Sequence, residues 1–139
     1  ISLNWWEYKE DETIAHDSRW LHRAPMDWEK AEKRHDMGTV EGILFTSIKE
    51  MIQVRKDNSI FASNIPSIPV DTGNKAVFAF HREDKMLVLA NFSEERQTVN
   101  CNAVNWFGLP WELHDLIQGK SVPLWENIVL GPYEYLWLA

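Results

Sequence analysis

At 139 residues, with 45% hydrophobic and 25% charged side chains, the chain is long enough for one globular domain with a real core. It is too short for a complete (β/α)8 barrel enzyme, which typically needs about 250 residues. The net charge of −7 argues against a nucleic-acid partner, and no apolar run approaches the roughly 18 residues needed to cross a bilayer.

The chain opens on Ile1 rather than Met, with no targeting signal, which leads us to expect a piece of something longer. Residues 1–37 show no sustained helical or strand period and read as a long, irregular, charged connection. Within it lies the richest segment of the chain, His16-Asp17-Ser18-Arg19-Trp20-Leu21-His22-Arg23-Ala24-Pro25-Met26-Asp27-Trp28. Flat aromatic faces such as Trp20 suit the C–H side of a sugar ring, and guanidinium and carboxylate groups suit its hydroxyls. Trp5, Trp6 and Tyr8 either stack on a sugar or pack the loop down. The three histidines His16, His22 and His35, with Asp17, Asp27 and Asp36, fit no helical metal-ligand pair, so no metal is expected.

Residues 39–56 predict a helix. Thr39 is a natural N-cap, Glu41 favours the positive end of the helix dipole, and Arg55 and Lys56 favour the negative end. Val40, Ile43, Leu44, Ile48, Met51 and Ile52 form an apolar stripe, while Phe45 and Val54 point to a second buried side. A helix with two buried faces is expected between two layers.

From about Ser67 the texture turns to strands. Residues 76–80 and 86–90 are apolar runs around a charged turn at 81–85, and residues 97–102 alternate, with Val99 and Cys101 on one side. Cys101, alone, forms no disulfide or thiolate metal site and is expected to be a buried, inert thiol. Further short strands follow at 111–117, 121–124, 128–130 and 133–138, separated by the turn signals Gln118-Gly119 and Gly131-Pro132. Seven or eight such strands predict an antiparallel β-sandwich. His81 and His114 are expected to be surface or structural.

Several segments, taken in order, resemble the α-amylase superfamily, above all amylosucrase-like and sucrose-hydrolase-like enzymes. They are Asp17-Ser18-Arg19-Trp20, His22 to Trp28, Thr39-Val40-Glu41-Gly42, Val54-Arg55-Lys56, and Val88 to Glu94. His114-Asp115-Leu116-Ile117 with Gly119-Lys120, and Leu130 to Leu138, complete the series. The resemblance implies a mainly β chain: a C-terminal antiparallel β-sandwich (58–139) preceded by the last loop (1–38) and last helix (39–57) of a truncated (β/α)8 barrel. It also implies retaining double displacement at a glucosyl centre by paired carboxylates, all of which would lie upstream of Ile1. No catalytic residue of that family is therefore expected here, and no cofactor.

What the resemblance places in this chain is one wall of the substrate pocket. Arg19 corresponds to an arginine at the glucosyl pocket, with Arg23, Asp17 and Trp20 as further substrate-binding candidates and Asp27 holding the loop. A plain surface ion pair of Arg19 with Asp17 remains the alternative. The expected partners are sucrose or an α-glucan in the parent enzyme, the missing N-terminal barrel and, for the piece alone, either its own sandwich folded onto the helix stripe or a second copy covering it. No nucleic acid or membrane is expected, and a cytoplasmic location is. The competing readings are a self-standing carbohydrate-binding module bearing Trp106, Trp111 or Trp125, and a non-catalytic interaction domain.

Overall fold

The computed structural model describes residues 9–17, 19, 26–105 and 108–139. The chain divides into two compact units, Ile1–Ile48 and Lys49–Ala139, and the long helix runs across their boundary.

In the first unit, the stretch expected to be irregular contains a short helix α1, Trp28–Glu32, followed by a 3₁₀ turn, Lys33–His35. Asp27 starts α1, its Oδ1 accepting the Lys30 N–H at 2.9 Å. That capping bond is the physical reason a helix begins here. Helix α2, Val40–Asp57, begins as its sequence predicts. Thr39 Oγ1 accepts the Gly42 N–H at 3.1 Å, and the Thr39 hydroxyl donates to the Asp36 carbonyl at 2.8 Å.

The stripe of α2 is not covered as expected. Among its residues Gly42 alone is buried, and Val40, Ile43, Leu44, Phe45, Ile48 and Ile52 are all exposed. Among the described residues its start rests on capping and local bonding. Phe45, expected on a second buried side, instead meets the His35 ring edge-on at a centroid distance of 6.2 Å.

The second unit is β-rich and antiparallel. Strands β1 (Ile68–Pro69), β2 (Val77–Arg82), β3 (Met86–Asn91) and β8 (Tyr135–Leu138) form a sheet in the order β1-β2-β3-β8. Strands β4 (Gln97–Val99) and β7 (Ile128–Leu130) form a second pair, and β5 (Glu112–His114) and β6 (Ser121–Pro123) a third. The β5–β6 hairpin is joined to β8 by reciprocal bonds between His114 and Ala139, at 2.8 and 3.0 Å.

Period-two alternation gives the large sheet two different faces. Val77 and Ala79 of β2, Leu87 and Leu89 of β3, and Leu136 and Leu138 of β8 point inward. They share one core with Val99, Leu113, Val122, Ile128 and Leu130 of the smaller sheets. Each fully buried Leu or Val contributes about 1.5–3 kcal/mol relative to exposure. The opposite face carries Phe78, Phe80, Arg82, Val88 and Trp137, as the register Phe80↔Val88↔Trp137 requires.

Two local expectations are corrected. His81 and Arg82 belong to β2, paired with Leu87 and Met86, and both are buried rather than in a charged turn. The turn is the three-residue link 83–85, entered by Glu83 at φ 50°. Its carbonyl meets His81 Nδ1 at 2.7 Å. Cys101 is half-buried and lies in a 3₁₀ turn, Cys101–Ala103, rather than in a continued strand. Asn100 ends the strand because its Oδ1 accepts the Asn102 N–H at 2.9 Å, an Asx turn that competes with the ladder.

Candidate functional site

The described part of the loop brings two of the four expected substrate-binding residues together. Arg19 Nε lies 2.7 and 2.9 Å from the two Asp17 carboxylate oxygens, and Nη2 lies 2.6 Å from Oδ2. The Arg19 backbone N–H also donates to Asp17, at 3.1 Å. This bidentate pair is exposed, and hydrogen bonding to Asp17 raises the Arg19 pKa further above its already high ordinary value. This is the surface ion pair given above as the alternative to a pocket role for Arg19. Trp20 and Arg23 lie outside the described residues, as do Trp5, Trp6, Tyr8, His22 and Trp106.

Other members of the segment have structural work. Asp27 caps α1, and Trp28 opens that helix with 69% of its surface exposed. Among the described residues, no group of three or more His, Cys, Asp or Glu side chains is arranged to hold a metal ion.

The motifs in the second unit form a polar stitch across the β-rich unit instead of a pocket. Buried Asn91 accepts from the Ser93 N–H and hydroxyl at 2.9 and 2.7 Å, and donates to the Glu95 and Gly131 carbonyls, both at 2.7 Å. Glu134 Oε2 accepts the Gly131 N–H at 2.7 Å, and Oε1 pairs with Lys120 at 3.1 Å. The Gly131 bond, more than Lys120, lowers the Glu134 pKa below the ordinary carboxylate value.

Asp115 is fully buried and accepts three backbone N–H groups, from Ile117, Gln118 and Trp137 at 3.3, 3.1 and 3.1 Å. It thereby holds the turn in which Gly119 adopts φ 68°. His114 is exposed on the adjoining strand.

Exposed aromatics are the remaining candidates. Trp111 and Trp125 flank the β5–β6 hairpin and are both exposed. Phe78 and Phe92, which the sequence did not single out, line an exposed hollow with Lys75. The apolar run 76–80 concealed Phe78, because alternation within such a run is visible only once the strand's register is known. Arg82 was missed for the opposite reason: its charge placed it in a turn.

No family model matches the chain. Among solved structures, it is similar to AmyP in complex with maltose, with a TM-score of 0.57 and 18% identity over 70% of this chain and 20% of that one. It is also similar to a glutamate-to-glutamine variant of AmyP in complex with maltotriose, with a TM-score of 0.60 and 17% identity over 74% of this chain and 22% of that one. The chain therefore spans about one fifth of the length of the AmyP chains it matches. At this identity the likeness is one of fold: a β-rich antiparallel architecture shared with part of a protein seen with maltose and maltotriose.

Proposed function

We propose that this chain is the C-terminal part of an α-amylase-superfamily glycosidase or glucosyltransferase acting on an α-glucan or on sucrose. The observation that carries the reading is the fold likeness to AmyP over 70–74% of the chain. The ordered series of motifs from Asp17 to Leu138 supports it. In this reading residues 1–38 are the last barrel loop, 39–57 the last barrel helix and 58–139 a β-sandwich that shields the barrel.

The chemistry would be a retaining double displacement by two carboxylates about 5 Å apart, contributed by upstream barrel strands. This chain's share is binding. Arg19, oriented by Asp17 through Nε and Nη2, presents its remaining donors to sugar hydroxyls or to an upstream carboxylate. Arg23 and Trp20 complete that wall, the latter as a stacking face. The exposed stripe of α2 is the seat of the missing barrel. In the chain by itself a second copy takes that seat, and light scattering should read a dimer.

The test is the longer reading frame. The extended protein should release or transfer glucose from maltooligosaccharides or sucrose, and the 139-residue chain should do neither. In the extended protein Arg19→Ala should lower kcat/KM by roughly 10–100-fold, the loss expected for a charge-assisted hydrogen bond of about 1.5–3 kcal/mol. Turnover by the 139-residue chain, or an extended protein without a paired-carboxylate site, would overturn the reading. The exposed Trp111 and Trp125 favour one alternative, a carbohydrate-binding module. That alternative requires saturable heat on titrating the chain with maltoheptaose, lost in Trp111→Ala.

A further inference from the structure

Within the unit Lys49–Ala139, a cleft of ≈ 350 Å³ opens on the outward face of the large sheet. It is lined by Arg55, Phe61, Ser67, Phe80, Arg82, Val88 and Trp137. In a chain of net charge −7, this lining holds two guanidiniums and no carboxylate. Its walls are aromatic, with the Phe61 and Trp137 rings 4.9 Å apart at 50°.

Arg82 is 8% exposed, and its guanidinium is only partly satisfied. Nη2 donates to the Ala62 carbonyl at 2.8 Å and to the Ile65 carbonyl. Its Nε is buried and has no hydrogen-bond partner, the one such side-chain atom among the described residues. An unpaired buried donor of a charged group costs more than that of a neutral one. Arg55, in the last turn of α2, forms no ion pair with any described residue. A buried cation with no counter-charge among the described residues, facing a cleft that a second cation enters, is the arrangement an anion completes.

We infer that this cleft is a binding site for a small phosphorylated sugar, its phosphate held between Arg55 and Arg82 and its ring lying against Phe61, Phe80 and Trp137. The anion is called for by the guanidiniums and the missing carboxylates. The ring is called for by the flat walls, which inorganic phosphate alone would leave exposed. The Ser67 hydroxyl provides a neutral hydrogen-bonding partner in the same lining. The inference does not rest on the proposed glycosidase activity, since every residue in it belongs to the β-rich unit and the end of α2.

The experiment is calorimetric titration of the 139-residue chain with glucose 6-phosphate, glucose and inorganic phosphate, alongside NMR of the arginine Nε–H resonances. Glucose 6-phosphate should bind saturably, inorganic phosphate more weakly and glucose not at all, with the Arg82 Nε–H signal shifting on binding. Arg55→Gln should weaken binding roughly 10-fold or more while Tm stays within a degree or so, because Arg55 is exposed and forms no ion pair with any described residue. The companion Arg82→Lys keeps the charge but loses the fork, and should also weaken binding. Equal binding of glucose and its phosphate, unaltered affinity in Arg55→Gln, an unmoved Arg82 Nε–H signal, or no saturable binding at millimolar ligand would each overturn the site.

Discussion

The two units hold themselves together by different means. In the first, side-chain hydrogen bonds among the described residues are local: Asp27 to Lys30, Asp36 to Gly38, Thr39 to Gly42, and at the longest Thr46 to Met37. In the second, Asn91 reaches Gly131, Asn74 reaches Gln97, and Asp115 reaches Trp137. Long-range bonds of this kind close over a core in which Leu87, Leu89, Leu130 and Leu138 have no exposed surface. The first unit instead leaves the apolar side of α2 exposed. Local bonding gives a segment its shape, whereas burial gives it stability, and a short helix face without burial is marginal in water. Among the described residues the first unit is thus shaped mainly by local bonds, and the second by long-range bonds over a shared core.

The sharpest way to break this contrast is Asp115→Ala. The substitution leaves three backbone N–H groups without their acceptor in a site from which water is excluded. Each orphaned donor costs about 1–3 kcal/mol, so a loss of roughly 3–5 kcal/mol is expected after partial relaxation. Denaturant melting should show the β-rich transition moved to much lower midpoint, while amide exchange in α1 stays unchanged. A loss under about 1 kcal/mol would mean that the turn at 115–119 is not part of the cooperative unit.

The contrast also explains what was legible in the sequence. Strands of the second unit followed from apolar runs and turn signals because tertiary burial and local pattern agree there, as at Met86–Asn91. The N-cap Thr39 was legible because capping is a local interaction. His81 and Arg82 were misplaced because the rule that charge marks a turn fails where a guanidinium is buried against the carbonyls of Ala62 and Ile65. The cover expected over α2 was inferred from periodicity, which says that a face is apolar but not that anything in the same chain sits on it. The surface ion pair of Asp17 with Arg19, the alternative to a pocket role, was legible from their two-residue spacing, and it forms. The partners that would complete a pocket wall are upstream in the proposed reading, where no pattern in these residues can place them.

A second, smaller effect tests the first unit alone. Gly42 occupies the third position of α2, and a Cβ there would run into the Asp36 carbonyl group, whose carbon lies at 2.5 Å, and the Met37 nitrogen at 3.1 Å. These are backbone atoms and cannot swing aside. Gly42→Ala gains helix propensity of up to about 1 kcal/mol but must push the 36–39 turn off the helix, an overpacking cost of about 1–3 kcal/mol. Faster amide exchange is expected across residues 38–45, with the main thermal transition unmoved. A variant that raises protection there would show that the close approach at Asp36 is not what fixes the entry to α2.

The smallest expected effect is a pH dependence in the second unit. Glu134 has a folded pKa below its ordinary value because its charged form accepts the Gly131 N–H and pairs with Lys120. The unfolded chain therefore takes up a proton first as pH falls. The stabilisation is fully present above the ordinary carboxylate pKa and is lost as pH drops through the lowered folded pKa. Glu134→Gln keeps an oxygen for Gly131 but removes the charge, so its cost at neutral pH should be under about 1 kcal/mol, as for other partly exposed pairs. The two proteins should converge in stability as the pH falls into the acid range. The same comparison with Asp17→Asn should show no change in the main transition at any pH, because that pair belongs to the unit whose bonds are local and exposed. If Glu134→Gln instead lost as much stability at acid pH as at neutral pH, the Gly131 contact would owe its strength to shape rather than to charge.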